Sequence, residues 1–280
     1  MVNLLFCGNE GVFDGILTCT LSILRRTESD EPYHVFLFTM DLTQLDPKYR
    51  PLGERQAQFL ERLLRQGRPD SRVSLIDVGP LYREHFAGCP NESAYCSPYT
   101  LIRLFADLVP GIPDKLLYLD ADLLFNRDVH LLYDIDVEDY EYAAGRDHYG
   151  KYLIQPNYIN AGVLLFNMKK ARQTGLFEKA RAWICKKKLV FADQSALIRS
   201  TTRKKVLPQR FNDQKFLHGH TVVRHFSKRL FYLPYPHTEN IKQWQVERVR
   251  KRFGYRQFDD ILDEYLRLKQ SYEQEVTQHG

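Results

Sequence analysis

Two aspartates separated by one small residue are the first feature of this sequence that could do chemistry. Asp120 and Asp122 directly follow the apolar run 116–119. In an extended chain alternate residues point to the same side, so both carboxylates face one point with only the Ala121 methyl group between them. Such a pair of oxygen ligands suits Mg²⁺ or Mn²⁺, and a metal held there could bind a diphosphate. A turn or a helix cap would explain the same residues without a metal.

Two further features bear on this metal site. Asp134 and Asp136 repeat the spacing after another apolar run, but the acidic residues 138 and 139 that follow favour a solvated loop. His225 lies near the end of the apolar run 222–226. A neutral imidazole there would add the nitrogen ligand that manganese accepts beside carboxylates. The alternative is a hydrogen-bonded structural histidine.

Two other segments carry polar side chains next to regular elements. Asn160-Ala161-Gly162 precedes the apolar run 163–166, where a small-residue turn would let the backbone approach a ligand closely. Asn160 could then bind hydroxyl groups, although a simple turn explains the segment equally well. Asp193 and Gln194 look like a helix start, where Asp193 would be either an N-cap or a residue that faces a ligand.

The elements that would position these residues follow the pattern of βαβ units. Short apolar runs alternate with longer amphipathic segments, which is typical of a sheet that is largely parallel in the first half of the chain and mixed in the second. Predicted strands are residues 4–7, 35–39, 73–78, 115–119, 142–145, 162–166, 205–207 and 221–226. Predicted helices are a first one capped by Asp14 and ending at Arg26, then residues 55–65, 99–108, 169–186 and 194–199.

A change in pattern divides the chain near residue 239. A chain of 280 residues with 44% hydrophobic composition can bury one substantial α/β core. After residue 239 the strand pattern stops, and two charged amphipathic helices are predicted at 241–252 and 258–272. We therefore expect a catalytic domain over residues 1–238 and a helical appendage over residues 239–280.

Composition excludes several classes of protein. Forty Lys and Arg against 35 Asp and Glu give a net charge of +5, too small an excess to indicate a nucleic-acid binder. The five cysteines show no zinc spacing and are expected to be free thiols. The N-terminus lacks a signal-peptide pattern, and no apolar run reaches the roughly 20 residues that cross a bilayer. These features predict a cytoplasmic protein.

Taken in chain order, five segments resemble the retaining glycosyltransferases of family eight, which include bacterial lipopolysaccharide hexosyltransferases and, more distantly, glycogenin. They are LLYLDAD (116–122), YINAGVLLFN (158–167), ADQS (192–195), LPQRFN (207–212) and VRHF (223–226). The resemblance covers roughly residues 2–244. It implies the GT-A fold, a Rossmann-like mixed central sheet flanked by helices.

The resemblance also implies an activity and a set of site residues. Members of the family bind a UDP-sugar with Mn²⁺, so we expect transfer of glucose or galactose to a glycan or glycolipid acceptor, with Mg²⁺ as the other possible metal. Asp120, Asp122 and His225 match the metal ligands. The residues matched to sugar contact and catalysis are Asn160, Asp193 and Gln194. Those matched to nucleotide-sugar binding are Cys7, Gly8, Asn9, Arg103, Asp120, Ala121, Asp122, Asn160, Ala161 and Lys242.

Two departures from the family's pattern leave points open. The first loop often carries Asp and then a Tyr that stacks on uracil, whereas Asn9 and Val12-Phe13 stand near those places here. The usual His-x-x-Gly-x-x-Lys-Pro-Trp is also altered. Either Lys242, in Lys-Gln-Trp, or Lys228 would contact phosphate. Because the family's stacking tyrosine is missing from its usual place in the first loop, the resemblance leaves the specificity for the nucleotide base open.

The basic and aromatic residues of the C-terminal part suggest membrane contact. Residues 224–229 and 248–252 are rich in arginine and lysine and lie among five aromatic residues. Such a surface suits an anionic membrane carrying a lipid-linked acceptor, at the inner face of the membrane. A solvated helix face is the alternative, because acidic residues follow at 259–264.

Two other functions compete with sugar transfer. A DxD phosphotransferase or hydrolase uses its leading aspartate as a nucleophile after the first strand of its domain, whereas Asp120 follows three earlier predicted strands. A non-catalytic sugar-nucleotide or glycan-binding module would be expected to have a broken metal triad. All three ligand types are present here, which favours the enzyme.

Overall fold

The computed structural model describes residues 1–92 and 97–278. Its strands are β1 (Val2–Cys7), β2 (Tyr33–Thr39), β3 (Arg72–Asp77), β4 (Lys115–Leu119), β5 (Leu123–Phe125), β6 (Tyr142–Arg146), β7 (Ile159–Asn167), β8 (Lys204–Leu207), β9 (Val223–His225), β10 (Arg229–Phe231) and β11 (His237–Glu239). Seven of them form the central sheet in the order β3-β2-β1-β4-β7-β6-β8. The first four in that order are parallel, and β7 runs antiparallel to both of its neighbours, so the prediction of a mixed sheet is confirmed.

Helices cover both faces of the sheet. They are α1 (Phe13–Arg26), α2 (Glu54–Arg65), α3 (Gly79–His85), α4 (His130–Tyr133), α5 (Gly150–Leu153), α6 (Met168–Thr174), α7 (Leu176–Lys186), α8 (Ala192–Ser200), α9 (Val246–Phe253) and α10 (Asp259–Gln278). Leu4 and Phe6 point to the face covered by α1, α2 and α10, and Leu5 points to the opposite face, covered by α7 and α8. This alternation along β1 is what a strand buried on both sides requires.

The helix predicted over residues 99–108 is wrong. The segment forms two 3₁₀ turns instead, Pro98–Thr100 and Ile102–Phe105. Residues 101–106 are all buried, and Arg103 Nε donates to the carbonyl oxygen of Thr100 at 2.9 Å. Tertiary burial and this contact favour the tighter turn over a regular α-helix.

Two helix boundaries also differ from the prediction. Gly175 adopts φ 65°, a left-handed conformation that glycine tolerates, and it ends α6 before α7 begins. The segment 169–186 is therefore two helices rather than one. Asp14 does not cap α1, whose N-cap position is Val12. The Asp14 carboxylate instead pairs with Lys269 Nζ at 2.6 Å, which joins α1 to α10.

Several short elements were not predicted, and one of them matters for the site. β5 follows the Asp120–Asp122 turn and pairs antiparallel with β9, with Leu123 opposite His225. β9 is shorter than the predicted strand 221–226. The helix α3 and the hairpin of β10 and β11 were missed because they lack a clear period of apolar residues.

The two helices predicted after residue 239 are present as α9 and α10, with shifted ends. Ile261, Leu262 and Tyr265 of α10 are buried in the same apolar cluster as Leu17 and Leu21 of α1. The division at residue 238 stays a prediction. None of the helices in the described chain combines the length and apolar character needed to cross a bilayer. Cys7, Cys19, Cys89 and Cys185 are free thiols, and Cys96 lies outside the described residues.

Candidate active site

The chemistry-bearing residues meet at the carboxyl ends of the central strands. A cavity of about 770 Å³ opens there. In open α/β sheets this edge is where ligands bind. Seven of the predicted site residues line the cavity: Arg103, Asp120, Asn160, Ala161, Asp193, Gln194 and His225.

Asp120, Asp122 and His225 form one cluster. One ligand atom from each of the three lies within 4.8 Å of the others. His225 Nε2 is 3.1 Å from Asp122 Oδ1 and 3.9 Å from Asp120 Oδ2. Residues 1–92 and 97–278 contain no other group of three His, Cys, Asp or Glu side chains arranged in this way. The rival aspartates at 134 and 136 are exposed and belong to no such group.

A chain of hydrogen bonds fixes the tautomer of His225. Asn160 Nδ2 donates to Asp147 Oδ2 at 3.0 Å, and Asn160 Oδ1 accepts from the backbone N–H of Gly162 at 3.0 Å. That orientation makes Asn212 Nδ2 the donor to Asn160 Oδ1, at 2.9 Å. Asn212 Oδ1 therefore faces His225 Nδ1 at 3.0 Å and accepts its proton. In the neutral ring, Nε2 is then left with a lone pair.

This tautomer suits a bound cation. The lone pair of Nε2 faces the carboxylate oxygens of Asp120 and Asp122, and a metal ion between these acceptors would satisfy all of them. Space is left for it by Gly162, because a Cβ at that position would lie 2.5 Å from His225 Cε1 and 2.8 Å from Asp120 Oδ2. The residues present therefore fit a divalent metal. Asn160-Ala161-Gly162 lies within β7 and is not the predicted turn.

The other carboxylate oxygen of Asp120, Oδ1, is bound by two neighbouring side chains. Tyr118 donates its hydroxyl to Asp120 Oδ1 at 2.6 Å, and Arg103 Nη2 approaches the same oxygen at 3.2 Å. Arg103 is 2% exposed, donates to the carbonyl of Ala161 at 2.6 Å, and lies over the Tyr118 ring. These contacts direct Asp120 Oδ2 toward His225.

Lys242 lies beside the metal-site carboxylates. Its ammonium pairs with Asp122 Oδ2 and contacts the carbonyl of Phe226 at 3.3 Å. Burial favours the neutral acid, but the positive charge of Lys242 and its hydrogen bond outweigh burial and hold the pKa of Asp122 far below its ordinary value. Lys228 lines the cavity from another side, so both predicted lysines are at the site.

Asp193 and Gln194 lie in the first turn of α8. The N-cap position is Phe191, so the reading of Asp193 as an N-cap is wrong. Asp193 is 4% exposed, and its Oδ2 accepts no hydrogen bond, although Arg103 Nε lies 3.4 Å away. Burial raises the pKa of this carboxyl. Gln194 Oε1 accepts from the backbone N–H of Ala161 at 2.9 Å, which ties α8 to β7.

The first loop adjoins the cavity but does not line it. β1 and β4 are parallel neighbours, so Cys7 ends its strand beside Asp120. Burial raises the pKa of the Cys7 thiol. Gly8 donates its N–H to the carbonyl of Phe38 at 3.0 Å, and Asn9 Nδ2 donates to the carbonyl of Lys48 at 3.0 Å. Residue 13, near the place of the family's stacking tyrosine, is 5% exposed in the core.

Sequence reasoning missed three residues that hold the site together. Asp147 and Asn212 carry the two ends of the hydrogen-bond chain to His225. Gln243 is fully buried and donates through Nε2 to the carbonyl of Ala121 at 2.7 Å, between the two aspartates. Asn212 ends the segment LPQRFN, but nothing in that segment indicates its contact with His225. Gln243 lies between Lys242 and Trp244, and no local pattern there predicts a contact with the turn of Asp120 and Asp122.

The sheet order and the helices on both of its faces match the GT-A fold of solved structures. The chain belongs to glycosyl transferase family 8, whose sequence pattern matches residues 4–220.

Relatives of known name match shorter stretches. A glycosyltransferase candidate of Haemophilus influenzae is 30% identical over 117 residues, which are 38% of this chain and 36% of that protein. Glycosyltransferase GlyA of Streptococcus pneumoniae is 40% identical over 88 residues, or 30% of this chain and 12% of that protein. The matched stretches thus span about a third or less of these relatives.

The fold is shared with solved glycosyltransferases. The galactosyltransferase LgtC, crystallised with donor and acceptor sugar analogues, superposes with a TM-score of 0.67 over 96% of both chains at 21% identity. The bifunctional glycosyltransferase WbbM gives 0.66 over 94% of this chain and 49% of its own, at 18% identity.

Proposed function

We propose that this protein is a retaining hexosyltransferase that moves glucose or galactose from a UDP-sugar to a glycan or glycolipid acceptor. Mn²⁺ is the proposed metal, with Mg²⁺ as the alternative. The carrying observation is the triad of Asp120, Asp122 and His225 beside a cavity of about 770 Å³. The fold shared with LgtC, whose structure holds donor and acceptor analogues, supports the same reading.

The residues around the triad suggest how the donor is held. A bound divalent cation would neutralise the charge that develops on the leaving diphosphate. Lys242 already lies at Asp122 and would turn to a phosphate when the metal takes the carboxylate. Arg103 is engaged with Asp120 and Ala161, so we assign it the orientation of Asp120 in addition to donor binding.

Retention is proposed from the family and from the shortage of nucleophiles. The acceptor hydroxyl would bond to the anomeric carbon on the face that UDP leaves, while the bond from that carbon to the UDP oxygen breaks. The hydroxyl proton would pass to the leaving phosphate oxygen. Besides Asp120, the carboxylates of Asp147 and Asp193 line the cavity. Asp147 is already engaged by Asn160 and by two backbone N–H groups, which leaves Asp193 as the candidate nucleophile.

Asp193 and Gln194 would support this reaction without forming a bond to the sugar. The unpartnered Oδ2 of Asp193 can accept a hydrogen bond from a sugar hydroxyl. Gln194 holds Ala161 and thereby the strand on which Asn160 lies. We assign all three the positioning of the sugar and the electrostatic support of an oxocarbenium-like state.

Hydrolysis of UDP-glucose and UDP-galactose with Mn²⁺ is the first test. Retention is tested by transfer to a sugar acceptor: proton NMR of the glycoside formed should show an α-linked sugar from these α-linked donors. A β-linked product would contradict retention, and a sugar attached to Asp193 in a mass spectrum would replace same-face attack by double displacement. Nucleotide binding without turnover would favour a binding module, and phosphate release from simple phosphoesters would favour a phosphotransferase.

A further inference from the structure

A second groove, of about 640 Å³, lies on the far side of α8 from the reaction cavity. The first turn of α8 separates the two spaces, because Asp193 and Gln194 face the cavity whereas Ser195 and Arg199 face the groove. The two spaces share a rim at Ile154 and Val190, whose side chains are 50% and 76% exposed. A molecule seated in the cavity can therefore extend over this rim into the groove.

The charged side chains that line the groove are all positive. Lys187, Lys188, Arg199 and Lys204 contribute to its walls, and no Asp or Glu side chain of the described chain does. None of the four forms an ion pair with a carboxylate in residues 1–92 or 97–278. A concave surface lined by uncompensated positive charge raises the local concentration of anions.

Two contacts hold these charges at the groove wall. Lys187 Nζ and Arg199 Cζ each lie 5.4 Å from the centre of the Trp183 ring, a cation–π geometry that restricts where they point. Burial lowers the pKa of Lys204, so this ammonium is partly removed from water without a carboxylate to compensate it. An anion in the groove would supply that compensation.

The donor does not account for these charges. Its diphosphate is assigned to the triad and Lys242, which lie on the cavity side of α8. The helix that intervenes is roughly 10 Å across. That separation suits a second group on the acceptor, a short way along its chain from the sugar that receives the hexose.

We propose that the groove of Lys187, Lys188, Arg199 and Lys204 is an acceptor subsite for an anionic group, a phosphate or a carboxylate, carried by the acceptor glycan beside the reacting sugar. The inference rests on the proposed function, since a sugar acceptor is what places such a group next to the cavity. Ion pairing in the groove selects anionic acceptors over neutral ones of the same length.

Probe binding to the full chain saturated with UDP and Mn²⁺ tests the subsite, because the nucleotide then occupies the donor phosphate site. Lactose, lactose phosphate and sialyllactose serve as the neutral, phosphate and carboxylate probes. Wild-type protein should bind at least one anionic probe more tightly than lactose, and the two anionic arms identify which group the groove takes.

Two variants and one control complete the experiment. Lys187→Gln combined with Lys188→Gln, and separately Lys204→Gln, should weaken anionic-probe binding by about 3- to 30-fold and leave lactose binding unchanged. Lys169→Gln combined with Lys170→Gln removes the same charge outside the groove and should change neither. Wild-type protein without anionic preference, or groove variants that keep it, would overturn the subsite.

Donor hydrolysis separates this outcome from the proposed function. The groove variants should hydrolyse UDP-hexose at the wild-type rate, because none of the changed lysines lines the reaction cavity. Absence of hydrolysis in wild-type protein would overturn the proposed function and with it the acceptor role of the groove. Normal hydrolysis together with equal binding of all three probes would overturn the groove alone.

Discussion

Asn212 is the residue on which the orientation of His225 depends. It is fully buried and joins the imidazole to Asn160 by two hydrogen bonds. Asn212→Ala removes the acceptor of the Nδ1 proton, so Nε2 is no longer held toward Asp120 and Asp122. We expect Mn²⁺ affinity in the presence of UDP to fall by about 10- to 100-fold, measured by calorimetry.

A buried asparagine outside the site provides the control for Asn212. Asn91 is 1% exposed and donates to the carbonyl of Ile184 at 2.6 Å. Asn91→Ala should lower stability but leave Mn²⁺ affinity unchanged. Wild-type affinity in Asn212→Ala would show that the hydrogen-bond chain does not position the metal ligand.

The sequence was informative about the site residues with distinctive types. That Asp120, Asp122 and His225 lie together could be predicted because all three match the metal ligands of the family in segments that follow the family's order. The residues that hold them in place could not be predicted. Asn212 and Gln243 act through contacts between segments 13 to 228 residues apart, and nothing local in the chain records such contacts.

At the scale of elements, the strands that bury both faces were predicted well and the short ones poorly. β4 was found with both ends correct because its apolar run is continuous. β5 has three residues, and its pairing with β9 decides where His225 lies. That pairing is antiparallel and joins residues about a hundred positions apart, so no periodicity in either segment predicts it.

Glu141 connects three elements of the sheet and gives a test by pH. Its carboxylate accepts from the backbone N–H of Thr202 at 2.8 Å and of Arg203 at 3.2 Å, just before β8. Burial opposes ionisation, but hydrogen bonds from threonine hydroxyls and from Arg203 hold the pKa of Glu141 below its ordinary value near 4.5. The charge therefore stabilises the fold above that pH, and the contribution is lost as the pH falls through the lowered pKa.

Glu141→Gln should lower the free energy of unfolding by about 1–3 kcal/mol at pH 7. The difference from wild-type protein should shrink as the pH falls below about 4.5, measured by urea unfolding at several pH values. Glu138→Gln, at an exposed position, is the control and should have little effect at any pH. A deficit in Glu141→Gln that stays constant down to pH 3 would contradict the assignment.

At the scale of the whole molecule, α10 ties the end of the chain to its beginning. Ile261 is fully buried against the cluster that contains α1, and Arg26 pairs with Asp260 at 2.7 Å. Ile261→Ala should lower the free energy of unfolding by about 2–4 kcal/mol because it leaves a cavity in that cluster. Val276→Ala, at a position 37% exposed on the same helix, should cost much less.

Thermal unfolding of Ile261→Ala also tests the division at residue 238. If residues 239–280 unfold with the rest, the single transition should shift as a whole. Two transitions, of which the substitution shifts only the one at lower temperature, would show that the C-terminal helices form a separate unit.

Membrane contact through the C-terminal part stays a prediction, and the structure supplies two observations that bear on it. Tyr232, Leu233 and Tyr235 are 64%, 79% and 68% exposed between β10 and β11, as an interfacial surface requires. However, Arg250 and Arg252 pair with acidic residues of the chain. We expect more protein to sediment with anionic than with neutral vesicles, and equal sedimentation would favour a solvated surface.

Mn²⁺-dependent UDP binding in Asp122→Ala tests whether Asp120, Asp122 and His225 hold a metal that binds the donor. We expect calorimetry to detect UDP binding to wild-type protein with Mn²⁺, and Asp122→Ala to abolish it because one of the three ligands is lost. Asp136→Ala, in the second Asp-x-Asp of the chain, is the matched control and should bind like wild type. Wild-type binding in Asp122→Ala, or its loss in Asp136→Ala, would contradict the assignment of the metal site.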